Sequence, residues 1–299
     1  MMRKRTLLLV SSLLSILLLS GCWGGEPLED MYAQPAFVKG EGMVSFTSYA
    51  PLKEKPVNIH YYIPEGDVQA MPVLFVLPGV NRNAGDYMKS WKAAADRKHV
   101  MVFALEFPVA YYSGAEYNEG GMMAGDRVKP EREWSFSVVE PIFDFIRSEL
   151  KNTNPAFDMW GHSAGAQFVH RYLLFKPDAS IRNAVSANAG WYTLPDLGTE
   201  FPYGLKNSPA GLTQQQKAFA KRLVVQLGTA DTNPDDPNLN HSEGAELQGK
   251  HRYERGLYFW ENCLRNAASA AAFGWEKREV AGVAHDYQRM AADAAEFMY

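Results

Sequence analysis

Apolar and polar residues alternate with a period of two over residues 44–49 and 57–63, the pattern of strands with one buried face and one wet face. The pattern then changes. Residues 73–77 and 100–105 are unbroken apolar runs, as expected of strands covered on both faces. Residues 156–160, 184–187 and 223–227 are shorter candidates for strands, and 276–280 closes the set. Between them, apolar residues recur at helical spacing over 86–97, 135–150, 163–175, 253–270 and 287–298. The order β-β-β-α-β-α-β-α-β-insert-α-β-α-β-α predicts one α/β domain, a mostly parallel sheet with helices on both faces. Right-handed crossovers then bring the loops after the parallel strands to one sheet edge, where such folds bind ligands.

Two connections, 107–133 and 188–213, are too long to be simple turns and are rich in aromatic residues. They are expected to border a cleft, with Tyr111, Tyr112, Trp191 and Tyr192 on its wall. Composition adds little to this picture. The chain has 299 residues, 46% hydrophobic and 21% charged, which suits a single globular domain. A net charge of −4 gives no electrostatic reason to bind nucleic acid, so none is expected as a partner.

The first residues carry an address. Arg3, Lys4 and Arg5 precede an apolar stretch over 7–20, shorter than the ~20 residues needed to span a bilayer. That is the pattern of a signal-peptide core. It ends in Leu19-Ser20-Gly21-Cys22, which resembles the bacterial lipobox, whose cysteine accepts a lipid before cleavage. The expected organisation is a signal peptide over 1–22, a flexible tether over 23–37 and a folded domain over 38–299. The expected location is the bacterial cell envelope, held to the membrane by lipid on Cys22. Trp23 follows the cysteine in place of an aspartate, which favours the outer membrane if the cell has one. Lipidation of Cys22 would leave Cys263 without a disulfide partner, as a small buried hydrophobe.

The chemistry centres on Phe157-Asp158-Met159-Trp160-Gly161-His162-Ser163-Ala164-Gly165. An apolar strand ends in Gly-x-Ser-x-Gly and a helical pattern follows, the setting of a nucleophile elbow. A serine hydroxyl needs a base, and the base needs an orienting carboxylate. Two later segments supply them at the same sheet edge: Gly228-Thr229-Ala230-Asp231 after the 223–227 run, and Val283-Ala284-His285 after the last strand. Asp235 and Asp236 share the loop of Asp231 but lie farther out, where a solvated acidic turn is expected. His162 is expected to point elsewhere on the turn, and His60, His99, His170, His241 and His251 to be structural. The backbone N–H of Ala164 would be one donor to an oxyanion, and the loop Leu77-Pro78-Gly79-Val80-Asn81 should provide the other.

These segments resemble the α/β-hydrolase superfamily, and most of all small bacterial esterases of the poly(3-hydroxybutyrate) depolymerase-like and feruloyl-esterase-like kind. The resemblance aligns the family's His-Gly-X turn with Pro78-Gly79-Val80 and so implies Val80 N–H as the second donor. Pro78 stands where the family has histidine. The resemblance implies a serine esterase using Ser163, Asp231 and His285 on a small-molecule or polymeric ester. A peptidase or acyltransferase on the same residues, or a non-catalytic surface-binding lipoprotein, are the alternatives. No cofactor and no metal are expected. The run Asp231-Thr232-Asn233-Pro234-Asp235 opens like a calcium loop, but Asp236 and Ser242 occupy the positions that need glycine and glutamate.

Metabolic labelling with palmitate should mark the wild-type chain and not Cys22→Ser. A Cys22→Ser protein that still carries the label would contradict the lipobox reading.

Overall fold

The alternation read from the chain sorts side chains onto the two faces of a single sheet. In the computed structural model the described residues are 35–267 and 270–299, and Ala36–Tyr299 form one compact unit. The expected signal peptide, Cys22 and the tether up to residue 34 lie outside the described residues. The strands are β1 (Gly40–Phe46), β2 (Val57–Ile63), β3 (Val73–Leu77), β4 (Met101–Glu106), β5 (Met123–Ala124), β6 (Arg127–Val128), β7 (Phe157–His162), β8 (Ile181–Ala187), β9 (Leu223–Gly228) and β10 (Trp275–Val280). The helices are α1 (Ala84–Lys98), α2 (Gly114–Asn118), α3 (Val139–Leu150), α4 (Ala164–Phe175), α5 (Leu212–Phe219), α6 (Glu243–Glu246), α7 (Arg252–Ala267) and α8 (Tyr287–Met298).

Eight strands form the main sheet in the order β1-β2-β4-β3-β7-β8-β9-β10, and β5 with β6 makes a separate short hairpin. The pairs β1/β2 and β2/β4 are antiparallel; every pair from β4 to β10 is parallel. Along β3, Val73, Phe75 and Leu77 enter one core, while Leu74 and Val76 enter the other. The same division holds for β4 and β9. Helices α3, α4 and α7 cover the first face, and α1 and α8 cover the second. At the far edge, β10 exposes Glu276, Lys277, Arg278 and Glu279. Charges there discourage pairing with another strand.

Differences from the sequence reading are local. The first strand lies a few residues upstream of 44–49, because residues 47–49 leave the sheet before a 3₁₀ turn at Ala50–Leu52 that contains Pro51. The helix expected at 135–150 begins as a 3₁₀ turn over Ser135–Val138 before α3 proper. The 107–133 connection is not a bare loop: it contains α2 and the β5–β6 hairpin. Among the described residues, no helix is long and apolar enough to cross a membrane. Cys263 is buried in α7, and burial pushes its thiol pKa well up.

The strand–helix junction at β7 and α4 is the tightest place in the fold. All of β7 and all of α4 are buried. A Cβ built on Gly161 would collide with the Gly165 carbonyl, and one on Gly165 with the Leu77 carbonyl of β3. These collisions are with backbone, which cannot swing aside as a side chain would. Gly165→Ala should therefore lower the free energy of unfolding by about 3 kcal/mol or more. Gly114→Ala, where a Cβ meets nothing within 4 Å, should stay within about 0.5 kcal/mol. Urea denaturation measures both, and equal stabilities would contradict this packing.

Candidate active site

Ser163 is the single residue between β7 and α4, with φ 58° and ψ −115°. A positive φ is strained for any residue with a Cβ, and the strain survives only where the surroundings enforce it. Here they do. Ser163 N–H donates to Ala187 O at 3.0 Å, and Ser163 O accepts from Gln167 N at 3.1 Å. Gly79 packs beside it: a Cβ on that glycine would lie 3.7 Å from Ser163 Cβ and 2.9 Å from Tyr87 Oη. Tyr117 Oη donates to Pro78 O at 2.6 Å and so fixes the Pro78–Val80 turn from behind.

Asp231 and His285 meet at the same edge. His285 Nδ1 donates to Asp231 Oδ2 at 2.7 Å, which leaves Nε2 as the free ring nitrogen. Their loops are joined by backbone bonds from Thr229 N to Val280 O and from Ala230 N to Val283 O. Asn188, buried at the end of β8, adds two more. Its Oδ1 accepts from Gly228 N at 2.7 Å, and its Nδ2 donates to Ala284 O at 3.1 Å. One amide thus holds the ends of the strands that carry the acid and the histidine. Asp235 is on the exposed turn. Asp236 is not the solvated acid expected: its side chain is 20% exposed and lies 3.0 Å from buried Arg252.

His162 also departs from expectation. It does not point away but lies with its ring 4.4 Å from that of His285, beside Trp160 and Tyr87. Burial, with the nearby charges of His285 and Arg252, holds its pKa well below the usual histidine range. It is therefore neutral, and accepts or donates a hydrogen bond with Tyr87 Oη at 3.1 Å.

Ser163 sits where two hollows join. One, of about 150 Å³, is lined by Gly79, Asn81, Tyr87, His162, His285 and Tyr287 among others. The second, of about 230 Å³, is lined by Asn118, Ala164, Gln167, Gly190, Trp191 and the 237–240 segment. Ser163, Val80 and Asn238 belong to both. Larger hollows exist, such as one of about 720 Å³ beside Glu119, Asp126 and Glu200, but no histidine is among its lining residues. Chemistry, not size, marks the site. Among the described residues no group of three His, Cys, Asp or Glu side chains could hold a metal ion.

Of the aromatic residues expected on the wall, Trp191 lines the second hollow, with the Arg171 guanidinium 4.0 Å above its ring. Tyr112 and Tyr192 do not line it. Tyr112 is buried against Phe107 and donates to Lys55 O; Tyr192 is buried and stacked on Phe259 at 4.3 Å. Both anchor their loops to the body. Tyr111 is 47% exposed and faces neither hollow. From the 107–133 connection only Asn118 reaches the cleft. Sequence reasoning missed Asn188, Arg252, Tyr87, Tyr287 and the 237–240 wall. Asn188 alone carried a signal, since an asparagine directly after a strand readily takes the left-handed conformation (φ 49°) seen here.

No family model and no curated protein matches the chain. Solved structures do. Poly(aspartic acid) hydrolase-1 from Sphingomonas sp. KT-1 is 36% identical with a TM-score of 0.83, over 87% of this chain and 98% of that one. LpqC, a poly(3-hydroxybutyrate) depolymerase from Bordetella parapertussis, is 31% identical with a TM-score of 0.83, over 88% of this chain and 90% of that one. An S-formylglutathione hydrolase from Agrobacterium tumefaciens, 14% identical with a TM-score of 0.57 over 89% and 96%, shares the fold. The chain belongs to the α/β-hydrolase superfamily of serine hydrolases, in the group that contains the Sphingomonas and Bordetella enzymes.

Proposed function

We propose that the protein hydrolyses carboxylic esters through an acyl-enzyme on Ser163, with His285 as base and Asp231 as its orienting acid. The 2.7 Å bond from His285 Nδ1 to Asp231 Oδ2 carries this reading, because it leaves Nε2 free to take a proton at the edge where Ser163 lies. In the first step Ser163 Oγ attacks the ester carbonyl as its proton passes to Nε2. The tetrahedral oxyanion is held by the backbone N–H groups of Val80 and Ala164, each such donor contributing roughly 3 kcal/mol. His285 then protonates the leaving alcohol, and the C–O bond to it breaks. Water, activated by the same nitrogen, adds to the acyl carbonyl; the second tetrahedral intermediate collapses to release the acid and Ser163.

The cleft suggests the substrate. It extends to both sides of Ser163, and Asn81, Asn83, Asn118, Gln167, Asn238 and Asn240 line it. Among the described residues lining either hollow there is no Asp, Glu, Lys or Arg. Side-chain amides suit a neutral chain with ester carbonyls or hydroxyls at short intervals, such as an oligoester. Cleavage of a polyamide is the second reading, favoured by the 36% identical poly(aspartic acid) hydrolase. We further propose that lipid on Cys22 holds the enzyme to the envelope membrane, which would present it to substrates that do not enter the cell.

Turnover of oligomeric 3-hydroxyalkanoate esters and of poly(aspartic acid), measured on wild type and on folded Asp231→Asn and Asp235→Asn, tests the reading. Ester turnover should dominate, with kcat falling on the order of 10⁴-fold in Asp231→Asn and hardly changing in Asp235→Asn. Faster cleavage of poly(aspartic acid) would favour the second reading. A near-normal Asp231→Asn beside a crippled Asp235→Asn would move the acid along the loop.

A further inference from the structure

Asp231 is a buried carboxylate, and its two oxygens face different groups. Oδ2 accepts the His285 bond, while Oδ1 lies 3.6 Å from Nη1 of Arg252. The Arg252 side chain is only 1% exposed. A cation buried this far is stabilised by carboxylates placed beside it. Its closer partner is Asp236, which it meets with two nitrogens: Nη1 to Oδ2 at 3.0 Å and Nη2 to Oδ1 at 3.1 Å. The guanidinium lowers the Asp236 pKa and keeps that carboxylate ionised.

We propose that Arg252 is a positioning residue that acts on His285 through Asp231, with Asp236 as its counter-ion. This rests on the Ser163–His285–Asp231 reading above. The division of distances is the argument. Asp236 takes the short, two-pronged contact and offsets the arginine charge. Asp231 therefore keeps its own negative charge for the imidazolium that forms during catalysis. With Arg252 absent, Oδ1 would lose its neighbour, Asp231 and Asp236 would repel each other, and the carboxylate could turn away from Nδ1.

The backbone supports the same role. Tyr253 N–H, the next residue in α7, donates to Asp231 O at 3.1 Å, so the start of α7 holds the main chain of the acid and sets a guanidinium beside its side chain. Asp236 Oδ1 also accepts from Asn238 N at 2.8 Å, and Asn238 lines both hollows. One turn along α7, Arg255 Nη1 donates to the carbonyl of Gly190, a residue of the second hollow. Arg252 thereby links the acid to the cleft wall, and Arg255 ties the wall to the same helix.

The test is a double-mutant cycle on kcat and KM with one neutral ester substrate, using Arg252→Met, Asp231→Asn and the pair. Arg252→Met should lower kcat on the order of 100-fold, the usual cost of a small misplacement of a catalytic group, and leave KM nearly unchanged. Arg252→Lys, which keeps a charge but cannot span both carboxylates, should recover part of the loss. In the Asp231→Asn background Arg252→Met should cost nothing further. Equal losses in both backgrounds, or an undiminished kcat in Arg252→Met, would overturn the inference. If Arg252→Met does not fold, Arg252→Met/Asp236→Asn removes both charges of the outer pair and replaces it in the cycle under the same criteria. Full kcat in Asp231→Asn would remove the triad reading itself, whereas a crippled Asp231→Asn beside an undiminished Arg252→Met removes only the role of Arg252.

Discussion

The close approach of three backbones around Ser163 is the constraint on which the rest of the site depends. β7 must end against β3, and α4 must begin at once, so that the serine is left at φ 58° with its flanking glycines in contact with carbonyls. No side chain could be inserted at Gly161 or Gly165 without separating these elements. The strain is local, and the wholly buried β7 and α4 hold it. What this arrangement yields is a hydroxyl-bearing residue at the junction of two hollows, with the Pro78–Val80 turn pressed beside it.

Asp231 and His285 are brought to the same sheet edge by a different device. Their loops leave neighbouring parallel strands, β9 and β10, and are joined by backbone hydrogen bonds before any side chain contributes. Asn188 then ties the end of β8 to both. Arg252 of α7 adds a buried charge behind the acid, where an unmatched charge would be costly. Rigidity therefore comes from the sheet edge and electrostatic balance from one helix. His162, neutral and packed against His285, completes the wall without adding a competing charge.

Much of this was legible in the chain, because the relevant signals are local. Unbroken apolar runs mark β3 and β4, and Gly-x-Ser-x-Gly after a strand marks the junction at Ser163. The positions of Asp231 and His285 follow from chain order along one sheet edge. Arg252 was not legible, since nothing near it in sequence shows that Asp231 and Asp236, 21 and 16 residues away, converge on it. The aromatic residues misled for a physical reason. A long loop must first bury itself, and Tyr112 and Tyr192 serve that end, as their large faces are well suited to do. Beside Trp191, Tyr87 and Tyr287, the cleft wall is built from amides in the polar 237–240 segment and from Asn118, where hydropathy gives no sign of a pocket.

The proposed chemistry depends first on Ser163 as the nucleophile. Its most direct test is the intact mass and peptide map of the full chain after brief exposure to a fluorophosphonate. A single adduct on the peptide containing Ser163, with ester turnover lost in proportion to labelling, is the expected outcome. An adduct on another residue, or turnover that persists in fully labelled protein, would contradict it.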